Sequence, residues 1–211
     1  MSYGPPTRTV AEVLRAVKRT FGDESSAQLE NEDIIAWIND AQDEINNSNK
    51  VLKEQATVEV VAGAATHAFP SKNIQQIEAL LFDGHVVKNV SYAQALTTHV
   101  GTTNTAPVPE VWYEWGGQFT FYPTPSVNGT ITLIYTVRPQ RVQMELSATL
   151  SLPDKYYQDI VRYVLQQAYL MDEALDLSSN QAQQFTQSLE AKGEEDNIAQ
   201  QGTYQTITFI D

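Results

Sequence analysis

Cysteine is absent from the 211 residues, which excludes a disulfide framework, thiolate catalysis and cysteine-ligated metal. Basic residues are scarce. Thirteen Lys and Arg face 26 Asp and Glu, a formal net charge of −13. Neutralising a nucleic-acid backbone needs the opposite surplus, so the composition argues against sequence-driven nucleic-acid binding. No stretch approaches the roughly 20 apolar residues of a membrane-spanning helix. The opening MSYGPPTRTV lacks the apolar core of a signal peptide, and an intracellular, soluble protein is expected.

Signatures of catalysis are missing too. His67, His85 and His99 share no metal-ligand spacing. No glycine-rich phosphate loop and no Gly-x-Ser-x-Gly elbow occurs. The expectation is a non-enzyme with no catalytic residue, no metal and no cofactor. Acidity on this scale suits simple solubility, or a surface that does not adhere to a passing polyanion.

What is present is strong helical patterning at both ends. Leu152–Met171 organises the chain: Tyr157, Ile160, Val161, Val164, Leu165, Ala168 and Met171 recur at three- and four-residue steps, the apolar face of an amphipathic helix. Either Pro153 is its first residue or Asp154 caps it. Near the N-terminus, Thr9 and Glu12 have capping-box spacing, Val10, Val13, Leu14, Val17 and Phe21 form a stripe, and Gly22 is placed to end the helix. A second helix is expected with Asn31 as cap and Ile34, Ile38, Ala41 and Ile45 on one face. Asn46, Asn47, Ser48 and Asn49 should fray or end it. After Met171, Ser178 and Gln181 repeat the capping-box spacing, Phe185 and Leu189 continue a stripe, and Gly193 is a stop signal.

Between the helices the period changes to alternation. Asp83-Gly84 and Gly116-Gly117 are two-residue hairpin signals. Phe119 and Phe121 share one face of a strand, as do Ile131, Leu133 and Tyr135. Tyr92–His99 is ambiguous. The fold class expected is α+β: an antiparallel helical bundle with an inserted small antiparallel β-domain and an extended C-terminal arm. The divisions are an N-terminal arm and two helices over 1–54, the β insertion over 55–140, C-terminal helices over 141–199, and the arm over 200–211. Tyr204–Ile210 alternates without a partner strand nearby, so it is either loose or destined for another sheet.

The order of these features resembles the head-to-tail adaptor proteins of tailed bacteriophages. Phe121-Tyr122-Pro123-Thr124-Pro125, Tyr135 with Arg138-Pro139, and Leu152-Pro153 through Tyr156 carry the resemblance. Tyr163, Ala168-Tyr169, Phe185 and Leu189 extend it, over roughly Thr9 to Lys192. The resemblance implies a structural protein of the virion neck, made in the host cytoplasm. Such adaptors form a homo-oligomeric, dodecameric ring below the portal protein that extends the DNA channel. Packaged DNA passes through without sequence-specific binding, tail nozzle, tail or fibre proteins attach outside, and no membrane is involved. The residues matched to these roles are Tyr204, Thr206, Ile207, Phe209 and Ile210 for portal binding. Tyr156, Tyr157, Ile160, Tyr163 and Val164 belong to the bundle and inter-subunit helix. Trp112, Tyr113 and Trp115 are the outer β-domain contacts, and Glu190, Glu194, Glu195 and Asp196 the channel-facing acids. The alternatives are another neck or tail-completion protein, or a carbohydrate-binding or hydrolysing protein using Trp112 and Trp115 with Glu110 and Glu114.

Overall fold

The computed structural model describes residues 5–25, 28–99 and 104–204. Its helices are α1 (Val10–Phe21), α2 (Asn31–Asn49), α3 (Tyr92–His99), α4 (Tyr157–Met171) and α5 (Leu175–Tyr204). The chain divides into two units, residues 1–52 with 139–211 and residues 53–138.

The first unit is helical. Helix α1 starts with the capping box the spacing predicts: the Glu12 amide donates to Thr9 Oγ1, and the Thr9 amide donates to the Glu12 carboxylate at 2.8 Å. Gly22 closes it at φ 92°, a left-handed conformation that glycine adopts without strain. The loop to α2 is tied by Asp23, whose buried carboxylate accepts from the amides of Gln28 and Leu29. Asn31 is the first residue of α2 rather than its cap; its side-chain oxygen accepts from Lys18 Nζ at 2.6 Å.

The start of the organising helix also differs from expectation. Asp154–Tyr156 form a single 3₁₀ turn, and α4 begins after it. Asp154 does not cap α4 because the N-terminal arm occupies its carboxylate. The Thr7 amide donates to it at 2.9 Å, the Arg8 amide at 3.2 Å, and the Thr7 hydroxyl bonds its other oxygen. The Leu150 amide donates to Arg8 O and the Val10 amide to Ala148 O, so residues 8–10 run beside the strap 146–150.

Helix α4 is the centre of this unit. Tyr156 just before it and Ile160, Val164 and Ala168 on it are at most 1% exposed, packed with Val10, Val13 and Val17 of α1 and Ile34, Ile38 and Ile45 of α2. Burying each such side chain is worth about 1.5–3 kcal/mol, so the apolar face is a large part of what holds these helices together. Tyr156 beside Asn49, and Tyr163 in the field of Asp40 and Glu44, set α2 antiparallel to α4. The α4–α5 pair is antiparallel as well: Ser178 reaches Gln166 O, Tyr163 meets Phe185, and Lys192 meets Asp159. Helix α1 breaks the antiparallel expectation. Tyr157 Oη donates to Glu12 O at one end and Phe21 packs on Tyr169 at the other, so α1 runs parallel to α4.

Helix α5 corrects two further expectations. Ser178 is inside the helix, with its hydroxyl turned to Gln166 O at 3.0 Å, and is not a cap. Gly193 does not stop the helix, which continues to Tyr204. A Cβ at Gly193 would meet Asn49 Oδ1 at 3.3 Å, so the missing side chain serves the close approach of α5 to α2. The arm expected from residue 200 is therefore helical as far as 204.

The second unit is built from strands. Strands β1 (Lys53–Val60), β10 (Gly129–Val137), β3 (Ile74–Phe82) and β4 (His85–Val86) form one sheet in that order. A second sheet has the order β2 (Thr66–Ala68), β8 (Gln118–Tyr122), β7 (Val111–Trp115), β5 (Lys88–Asn89). Both two-residue turns are as expected: Asp83 and Gly84 have φ of 46° and 82°, Gly116 and Gly117 of 61° and 73°. The sheets share a core in which Leu80, Phe82, Ile131 and Leu133 of one meet Trp112, Phe119 and Phe121 of the other. The unit is not wholly antiparallel. Strand β5 pairs parallel with β7, and β6 (Thr105–Ala106) pairs parallel with β9 (Thr124–Pro125). Tyr92–His99 is the helix α3.

Candidate functional site

In the helical unit, function has to be sought in what is left over after the core is made. Much of the polar chemistry is spent internally. Asn39, Gln42, Asn46 and Asn49 recur at three- and four-residue steps along α2, and each holds another part of the chain. Asn39 accepts from the Val142 amide at 2.8 Å and donates to Val142 O at 3.0 Å. Gln42 accepts from the Ser151 amide, Asn46 from the Leu52 amide, and Asn49 donates to Leu189 O. The ladder thus grips the segments on either side of the β insertion in sequence, and α5. Helix α2 ends at Asn49, within the run expected to fray or end it, but the reading of that run as poor helix formers did not include this ladder. The signal is the spacing of the amides, which puts them on one face.

A second network joins α4 and α5. Asp159 is fully buried and paired with Arg162 at 3.1 Å and with Lys192. Lys192 Nζ also donates to Lys155 O. Lys155 pairs with Asp196 at 2.8 Å, and Tyr156 Oη donates to the same carboxylate at 3.2 Å. Burial pushes the Tyr156 phenol upward. Asp196 is therefore a clasp between α5 and the turn that leads into α4 of its own chain, its charge compensated by Lys155. Tyr156, Ile160 and Val164 lie in the core of the helical unit, which fits the bundle half of their assignment; buried there, they present no surface for the inter-subunit half. Tyr157 and Tyr163 are partly exposed, Tyr157 under the Arg8 guanidinium at 5.0 Å.

What remains on the surface is acidic. Glu190, Glu194 and Glu195 are exposed and carry no ion pair among the described residues. Glu190 and Glu194 border a groove of about 450 Å³ between α2 and α5, with Glu44 opposite and Phe185 and Leu189 on its floor.

In the β unit the three aromatics of β7 separate. Trp112 is 4% exposed and faces Phe121 across the ladder, inside the core. It is not an outer contact residue. Trp115 is 61% exposed and stacks on Tyr92 of α3 with ring centres 4.1 Å apart, and Tyr113 flanks Tyr92 at 5.8 Å. A three-residue offset on a strand places Trp112 and Trp115 on opposite faces, which is the signal that distinguishes them. Glu110 and Glu114 are exposed. His67 packs on Phe119 and Phe121, and its Nε2 lies 3.1 Å from Ala64 O. Among the described residues no group of three or more His, Cys, Asp and Glu is placed to hold a metal, and no helix is long and apolar enough to cross a membrane. Of the portal-binding residues, Tyr204 is the last residue of α5, whereas Thr206, Ile207, Phe209 and Ile210 lie outside the described residues.

The molecule thus offers surfaces: an acidic groove, an exposed aromatic stack, and two units stabilised by separate cores. The fold is α+β. The family model of the SU10 adaptor protein matches residues 8–206, and the chain belongs to that family of phage head-to-tail adaptors. No curated protein matches the chain.

Proposed function

We propose that this adaptor assembles as a dodecameric ring below the portal protein, in the virion neck, and extends the DNA channel towards the tail. The family match over 8–206 carries this reading. Glu190, Glu194 and Glu195, exposed and without an ion pair among the described residues, support it, because a wall of uncompensated carboxylates repels packaged DNA and lets it slide. Residues 205–211 are the portal-binding arm, continuing from α5 and adding a strand to the portal through Thr206, Ile207, Phe209 and Ile210. The Trp115–Tyr92 stack with Tyr113 is the outer contact for a nozzle, tail or fibre protein, since an exposed aromatic pair is the usual anchor of an interface. The glycan reading is weaker than the sequence made it, because its platform loses Trp112 to the core.

Deletion of Gln205–Asp211 tests the arm. Portal binding is expected to be lost while the melting temperature stays the same; undiminished binding would remove the arm from the account.

A further inference from the structure

Large apolar side chains are exposed unevenly. Among the described residues, Leu170, Met171, Leu175 and Leu177 account for four of the eleven such side chains, all about half exposed or more, within eight positions at the α4–α5 corner. Single exposed apolar residues need no explanation, but a cluster marks a surface that something covers. Asp172 and Asp176 lie within the same stretch, exposed and without an ion pair among the described residues. The covering partner therefore needs cations and tolerates apolar contact.

The same chain carries that complement. Arg15 and Arg19 stand one turn apart on α1, both exposed and without an ion pair among the described residues. The one acid of α1, Glu12, is taken by Arg8 and by the Thr9 amide. In a chain with twice as many acids as bases, an uncompensated arginine pair on one helix is the scarce feature. Arginine also suits the role chemically: its planar fork binds carboxylates while its stem lies on apolar surface.

We propose that the α4–α5 corner of one subunit seats on the Arg15/Arg19 face of α1 in a second copy. The two faces are made of different residues, so the contact is heterologous and propagates around a ring. The inference rests on the ring reading and gives that ring its subunit contact.

The test uses two variants, Arg15→Glu with Arg19→Glu, and Asp172→Lys with Asp176→Lys, each added to the portal ring and read by native mass. All four positions are exposed, and circular dichroism is expected to show both variants folded. Each alone is expected to need a concentration higher by about tenfold or more for multi-copy assembly. An equimolar mixture is expected to recover wild-type assembly, because each variant's altered face then meets the other's. No partner other than a second copy produces that rescue. Wild-type assembly by either variant alone, or failure of the mixture, overturns the contact. If wild-type chain itself adds only singly to the portal, the ring reading falls with it.

Discussion

The two units are held together by different chemistry. Among the described residues, six of the seven buried polar residues lie in the helical unit: Asp23, Asn39, Gln42, Asn46, Asp159 and Ser178. The β unit has Thr136 alone and otherwise buries aromatic and branched side chains. A strand sheet satisfies its backbone by its own ladders, so its core is free to be apolar. The helical unit must also hold non-helical segments, the strap 142–152 and the turn at Leu52, and residues 8–10 pair with only the middle of that strap. The side-chain amides of α2 hold Val142, Ser151 and Leu52, rung by rung. The difference teaches that polar burial in this protein fixes the position of segments, while apolar burial supplies the bulk of the stability.

Changes in either unit break the comparison in different ways. The largest effect is expected in the β core: Phe121→Ala should cost about 4 kcal/mol, from lost transfer energy plus the cavity left among Phe82, Phe119 and Trp112. Urea denaturation followed by circular dichroism measures it. Next, Asp159→Ala in the helical unit strands Lys192 and Arg162 and should cost about 3 kcal/mol, whereas replacing Asp159 and Lys192 together by Leu and Met should cost far less. If the double replacement is as damaging as the single one, the network holds more than charge. A smaller loss, about 2 kcal/mol, is expected for Asn39→Ala, which leaves the amide and carbonyl of Val142 without their partner. Hydrogen exchange at Val142 should rise well before global unfolding, and unchanged protection would show that the rung is dispensable.

The smallest effect is on pH dependence. The Thr7 hydroxyl and amide hold the Asp154 carboxyl below the usual carboxylate range, and the Thr9 amide does the same for Glu12. A carboxylate whose folded-state value is depressed contributes stability that is present above its unfolded-state value. That contribution is lost as pH falls through the folded-state value. Asp154→Asn should therefore lower stability slightly at neutral pH, where the contribution is present, and flatten the acid limb, where it can no longer be lost; urea denaturation at stepped pH checks both.

Much of this architecture was legible in the residues themselves. The stripes of α1, α2 and α4, the Thr9–Glu12 box, Gly22, and the turns at Asp83-Gly84 and Gly116-Gly117 are local features, encoded by spacing and by tolerance of positive φ. What failed was local evidence overruled by distant contact. The run Asn46–Asn49 does end α2, as its residue types suggest, but the Leu52 amide and Leu189 carbonyl that Asn46 and Asn49 bind leave no local signal. Gly193 reads as a stop until Asn49 is seen against it. Asp154 reads as a cap until Thr7 and Arg8 claim it. The parallel pairings of β5 and β6 are two residues long and leave no periodicity to read. At the surfaces, Trp115 is exposed, while Trp112 and Asp196 were assigned from type and charge without regard to the strand face that buries Trp112 or the Lys155 that pairs with Asp196.

On the proposed function, many copies of this chain assemble on one portal. Native mass spectrometry of the portal ring from the same phage, titrated with this protein, tests it most directly. The mass should rise by whole subunits and saturate at a fixed number of copies, twelve on the dodecameric reading. A portal whose mass does not change, or that takes up a single subunit, would contradict the claim.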